Sequence, residues 1–157
     1  MPAGLLRSRL RLAVTAAVLG VALAIPSVGA TANASTGVRT TKSVADRVLA
    51  IAASEHGKPY RYGGTGPNSF DCSGLTSFVF AKVGIALPHN AAGQYSVVHH
   101  IAKSDKRPGD LIFMYGSGGI YHVAIYAGNN RMWAATHTGD VVRQEVIYSS
   151  RYLVGRA

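Results

Sequence analysis

Hydrophobic spacing changes period once along this chain, and that change limits the folds open to it. Up to Val98 the apolar residues recur at helical intervals, whereas from Leu111 onward they alternate. Ser43 and Asp46 make a capping-box start for a first helix carrying Val44, Val48, Leu49, Ile51 and Ala52, which Gly57 stops. A glycine-rich loop, Lys58 to Ser69, leads into a second helix from Cys72 through Leu75, Phe78, Val79 and Val83 to Gly84. Asn90 to Val98 is expected to be a short third helix. Strands follow at Leu111–Tyr115, Ile120–Ala127, Arg131–Ala135, Val141–Ile147 and Tyr152–Arg156, separated by turns rich in Gly and Asn. Helices first and a meandering antiparallel sheet second predict an α+β domain.

The 157 residues suffice for one such domain and not for two. Apolar residues make up 48% and charged residues 15%, which excludes a disordered chain. Basic Arg7, Arg9 and Arg11 precede an apolar run, Leu12 to Ala24, and Ala32-Asn33-Ala34 offers a small-x-small cleavage site. Residues 1–34 therefore read as a signal peptide cut after Ala34, with Ala30 as the alternative, and 35–42 as a short linker. The competing reading is an uncleaved anchor, for which the run falls short of the ~18 residues usually needed. Export to the outside or the cell wall is expected, without stable membrane insertion after cleavage. Three of the 16 basic residues and none of the 7 acidic ones lie before Ser35, so the mature chain would carry +6. That charge suits anionic wall polymers. Nucleic acid is not expected, because the basic residues are scattered and no recognition motif accompanies them.

The one cysteine, Cys72, excludes a disulfide framework and falls where the glycine loop meets the second helix. Free N–H groups there would stabilise a thiolate, so its pKa is expected below the ~8.5 of a free thiol, with its own N–H as an oxyanion donor. Asp71 is either the N-cap of that helix or a group facing a substrate ammonium. Gly63, Gly64 and Gly74 are expected to serve tight backbone geometry. Among six histidines, His122 is best placed as a base, sharing one strand face with Ala124 and Tyr126. His99 and His100 fall in an expected solvated loop with no third metal ligand nearby. His56 and His89 suit helix-terminal and turn roles.

Tyr60-Arg61-Tyr62-Gly63-Gly64, Asp71-Cys72-Ser73-Gly74-Leu75, Leu87-Pro88, Pro108-Gly109-Asp110-Leu111 and His122-Val123-Ala124-Ile125-Tyr126-Ala127-Gly128 together resemble the NlpC-type cysteine peptidases of bacterial cell walls. The resemblance spans 43–157. It implies a papain-like fold, with N-terminal helices packed on a mainly antiparallel sheet of five to six strands. It further implies a monomer using no metal or cofactor, with Cys72 as nucleophile and His122 as proton shuttle. The implied substrate is a peptidoglycan stem peptide, commonly cut between the γ-carboxyl of D-glutamate and a diamino acid, and Tyr60, Asp71 and Ser73 match substrate-binding positions. A noncatalytic wall-binding relative and an acyltransferase using the same pair are the alternatives. In one place the chain departs from the family: twelve residues after His122, where a polar residue usually orients the imidazole, it carries Ala134. Thr136 and His137 lie nearby. His137, the candidate third residue, has the opposite parity to Ala134 and reaches His122 only if the chain bends before Thr138-Gly139. A working Cys72/His122 dyad is the favoured expectation.

Overall fold

The computed structural model describes residues 42–157, so the signal-peptide and linker readings lie outside the described residues. Three helices come first: α1 (Val44–Ser54), α2 (Cys72–Ala81) and α3 (Ala91–Val97). Six strands follow: β1 (His99–Ile101), β2 (Leu111–Gly116), β3 (Gly119–Gly128), β4 (Arg131–Ala134), β5 (Arg143–Val146) and β6 (Tyr152–Arg156). They form one antiparallel sheet in the order β1-β6-β2-β3-β4-β5. This is the expected α+β architecture.

Period-two alternation on β2 and β3 divides the core between the two sheet faces. Leu111, Phe113, Val123 and Ile125 are fully buried against Val48, Ala52, Leu75 and Val79 of the helices. Their neighbours Ile112, Met114 and Ala124 join Met132, Ala134 and Val154 in a second cluster on the other face. Each buried Leu, Ile or Phe contributes roughly 1.5–3 kcal/mol. Outside the sheet, Asp110 is fixed by Arg156, whose Nε and Nη2 donate to its two carboxylate oxygens at 2.7 and 2.8 Å.

Two expectations fail where pairing is non-local. His99 and His100 are not in a loop; they form edge strand β1, opposite Arg156 and Gly155 of β6. Three residues are too few to display an alternating pattern, and the open edge of β6 is invisible in local sequence. Both histidines are exposed all the same. Likewise β5 begins at Arg143 and not Val141, because Val141 bridges Pro59 and the Val142 N–H donates to the Lys58 carbonyl at 2.8 Å. The start of the glycine loop thus claims two residues that the alternation assigned to the sheet.

The expected tight geometry of the glycines is present. Gly63 has φ +74°, and a Cβ on Gly74 would stand 1.9 Å from the Gly64 carbonyl oxygen. Because the obstacle is backbone, no rotamer change relieves it. Gly74→Ala is expected to destabilise the fold at or beyond the upper end of the ~1–3 kcal/mol usual for overpacking, measured by urea unfolding, and a loss under about 0.5 kcal/mol would contradict this account.

Candidate active site

Asp71 organises the start of α2. Its Oδ1 accepts from the Gly74 N–H at 2.7 Å, making it the helix N-cap, and its Oδ2 accepts from the Gly63 N–H at 2.9 Å. Ser73 Oγ donates to Oδ1 at 3.2 Å, and His89 Nε2 lies 2.8 Å from both oxygens. Of the two roles open to Asp71 in the sequence, the structure shows the cap. His89 is not confined to a turn, because it closes the far side of this carboxylate. Gln94, fully buried on α3, donates through Nε2 to the Ser73 carbonyl at 2.9 Å and the Pro88 carbonyl at 2.8 Å, and accepts from Thr76 Oγ1 at 2.7 Å. Sequence reasoning missed Gln94, whose only signal was a polar residue in a short helix.

Cys72 is the first residue of α2. Burial pushes its thiol above the ordinary value and the Asp71 charge adds to this, while the backbone N–H groups of Val123, Ser73 and Cys72 itself pull it down. The net direction is up, against the expectation from the helix terminus, because desolvation of a thiolate outweighs three amides. The Val123 amide also locates the sulfur, which lies against β3 at the residue following His122.

His122 is 4% exposed. Burial alone pushes its imidazole down to about 4, and its buried Nε2 has no hydrogen-bond partner among the described residues. Ala134, fully buried and aliphatic, offers none. His137 does not come to the ring: its side chain is 68% exposed, with Nδ1 3.0 Å from the Thr138 carbonyl oxygen and Nε2 4.0 Å from Asp140. Both its nitrogens are turned to its own turn.

Tyr60, Asp71, Cys72, Ser73, His89 and Tyr121 line a cleft of about 290 Å³ with exposed Tyr62 at its rim. Burial, followed by the nearby Cys72, Asp71 and Tyr62 charges, raises the Tyr60 phenol, which keeps it a neutral donor. A more open hollow of about 570 Å³, lined by His99, Lys106 and Arg156 among others, shares no residue with this cleft and has no cysteine in its lining. Among the described residues no three His, Cys, Asp or Glu side chains converge as metal ligands.

The sequence matches the model of the NlpC/P60 family over residues 57–154. The chain belongs to the NlpC/P60 family. It is 48% identical over 112 residues to the probable endopeptidase p60 of Listeria welshimeri, covering 69% of this chain and 21% of that protein. Peptidoglycan endopeptidase RipB of Mycobacterium tuberculosis is 35% identical over 142 residues, covering 79% of this chain and 58% of RipB. The chain thus spans about a fifth of the length of the p60 relatives. Among solved structures, the NlpC/p60 domain of peptidoglycan hydrolase SagA superposes with TM-score 0.67 at 31% identity, over 72% of this chain and 98% of that domain. RipD of Mycobacterium tuberculosis, described as a non-catalytic NlpC/p60 domain protein adapted to peptidoglycan binding, superposes with TM-score 0.64 at 30% identity, over 74% and 98%. The relatives establish a family of cell-wall hydrolases that also includes noncatalytic members. No helix among the described residues is long and apolar enough to cross a membrane.

The depressed His122 pKa has a consequence for stability. An unfolded imidazole takes its proton near 6.5 and the folded one near 4, so between these values the unfolded state binds more protons. Stability is intact above about pH 6.5 and falls as pH drops towards 4, by about 3 kcal/mol from this group. His122→Gln, which does not titrate, is expected to flatten that fall in urea unfolding, and an unchanged slope would assign it to other groups.

Proposed function

We propose that this chain is a secreted peptidoglycan endopeptidase that hydrolyses stem-peptide amides, with the bond between the γ-carboxyl of D-glutamate and a diamino acid as its target. The observation that carries this reading is the position of Cys72: a lone thiol at a helix N-terminus, in a cleft, against the strand residue that follows a buried histidine. The family membership and the endopeptidase relatives support it.

With the thiol held up and the imidazole held down, the resting pair is neutral. His122 therefore takes the Cys72 proton as sulfur attacks the carbonyl, not before. The Cys72 N–H faces the developing oxyanion, the imidazolium returns its proton to the leaving amine, and a thioester forms. Water, deprotonated by His122, then releases the acid. Tyr60 and the Asp71–His89 pair bound the cleft that receives the stem peptide, with Ser73 spent on Asp71. The chain's net positive charge holds it near anionic wall polymers, an attraction that salt screens.

Ala134 favours a second reading, a wall-binding protein without hydrolysis, as RipD is described. Mass spectrometry of purified muropeptides after incubation with the protein separates the two. Cleavage by wild type and a loss of roughly 10³-fold or more in Cys72→Ala are expected, whereas binding without cleavage by either protein would establish the second reading. The low-pH limb of kcat/KM is expected near 4 and not near 6.5, since His122 must be neutral to accept the proton. A limb at 6.5 would show that the imidazole is solvated during turnover.

A further inference from the structure

Charge that looks scattered in the sequence is gathered by the fold. Residues 99–110 and 151–156 carry Lys103, Lys106, Arg107, Arg151 and Arg156 against Asp105 and Asp110 alone, and the pairing of β1 with β6 brings the two segments together, the short 3₁₀ turn Lys103–Asp105 following β1. Elsewhere acids are matched to bases: Glu55 pairs with Lys58, and Asp140 and Glu145 share Arg143. Lys106, Arg107 and Arg156 line the hollow of about 570 Å³ that shares no residue with the Cys72 cleft. Arg156 is locked on buried Asp110, and Lys106 is held over the Tyr126 ring with its Nζ donating to the Lys103 carbonyl at 3.1 Å. Arg107 is exposed, and its backbone N–H is what donates to Asp110, at 2.7 Å, so the guanidinium has no acid partner among the described residues. Acceptors line the same hollow. His100 Nε2 lies 2.9 Å from the Tyr95 carbonyl and donates to it, which in a neutral ring keeps a lone pair on Nδ1. Asp105 receives Ser104 Oγ on Oδ1 at 3.0 Å, with Oδ2 unpaired among the described residues.

We infer that this hollow is a second binding site, separate from the cleft, for a wall polymer of phosphodiester-linked polyol or sugar units. Such a polymer carries a negative charge on every repeat, which suits Lys106 and the open guanidinium fork of Arg107. The hydroxyls of the same repeat suit the acceptors, His100 Nδ1 and Asp105. A polycarboxylate would use the cations alone and be repelled by Asp105. Nucleobases find no stacking platform, because the nearby aromatic faces are already covered: Lys106 lies over Tyr126, Lys103 over Tyr152 at 4.4 Å, and His100 stacks on Tyr95 with ring centroids 4.0 Å apart. A lipid surface finds no apolar anchor, since none of the exposed large hydrophobic side chains belongs to the lining. A polymer bound here leaves the Cys72 cleft open, so the domain holds the wall with one surface and receives its peptides with another.

The identity of the polymer rests on the wall-directed reading proposed above, and the test keeps the two apart. Binding is measured by isothermal titration calorimetry at one pH and salt with purified poly(glycerol phosphate) as the probe, beside poly-L-glutamate of equal length and a single-stranded DNA oligonucleotide. Wild type is expected to bind poly(glycerol phosphate) more tightly than either, with an affinity that falls as salt is raised. Lys106→Ala/Arg107→Ala is expected to weaken that binding roughly 5- to 30-fold, the loss of two partly screened ion pairs, with kcat/KM on soluble muropeptides unchanged. Arg107→Glu, at an exposed position whose backbone bond to Asp110 is kept, gives the same readout if uncovering Tyr126 disturbs the fold. Arg61→Ala/Lys82→Ala removes equal charge from exposed positions outside the hollow and is expected to weaken binding by less than about 2-fold. An equal loss in that variant would show that net charge alone attracts the polymer and would overturn the inference, as would equal or tighter binding of polyglutamate or DNA. Polymer binding that Arg107→Glu removes, in a protein that cleaves no muropeptide, would end the hydrolytic reading and leave this site standing. Muropeptide cleavage without polymer binding would do the reverse.

Discussion

One carboxylate ties the functional half of this domain together. Asp71 caps α2, holds the Gly63 N–H of the glycine loop, takes the Ser73 hydroxyl and faces the His89 ring, all through two oxygens. It is 8% exposed, so solvent cannot stand in for these partners if one is lost. The loop can lie this close only because Gly74 has no Cβ to meet the Gly64 carbonyl oxygen, and Gly64 none to meet the Arg61 carbonyl and the Phe70 backbone. The position of Cys72 follows from that clasp: the helix has to begin where it does, and its first residue has to face the cleft.

Around that thiol two physical effects oppose each other. A helix N-terminus favours a thiolate, and burial disfavours it; here burial prevails for Cys72 and, in the opposite sense, for His122. Both shifts favour the neutral forms of the two groups. On the hydrolytic reading proposed above, charge is then created only during attack, and the groups that matter are those placed to receive it.

The helix-then-strand order, the boundaries of α1 and α3 and the Cys72 and His122 candidates were legible because each depends on local pattern: caps, glycine stops, alternation, one cysteine. What stayed hidden depends on pairing between distant segments. His89 looked like a residue after a proline, and only the fold brings it to Asp71 from 18 positions away. Edge strand β1 exists because β6 has a free side. The thiol pKa was misjudged for the same reason, since a helix start is readable in sequence and the burial of its first residue is not.

Ala134 is fully buried and aliphatic, so the position twelve residues after His122 offers its imidazole no polar group. In an antiparallel sheet the residue two steps along a strand and a longer side chain from the adjacent strand can reach the same volume, provided the nearer residue is small. Glu145 of β5 bonds Thr136, two residues beyond the end of β4. The family fold persists in RipD, described as non-catalytic, so the scaffold alone does not make a hydrolase.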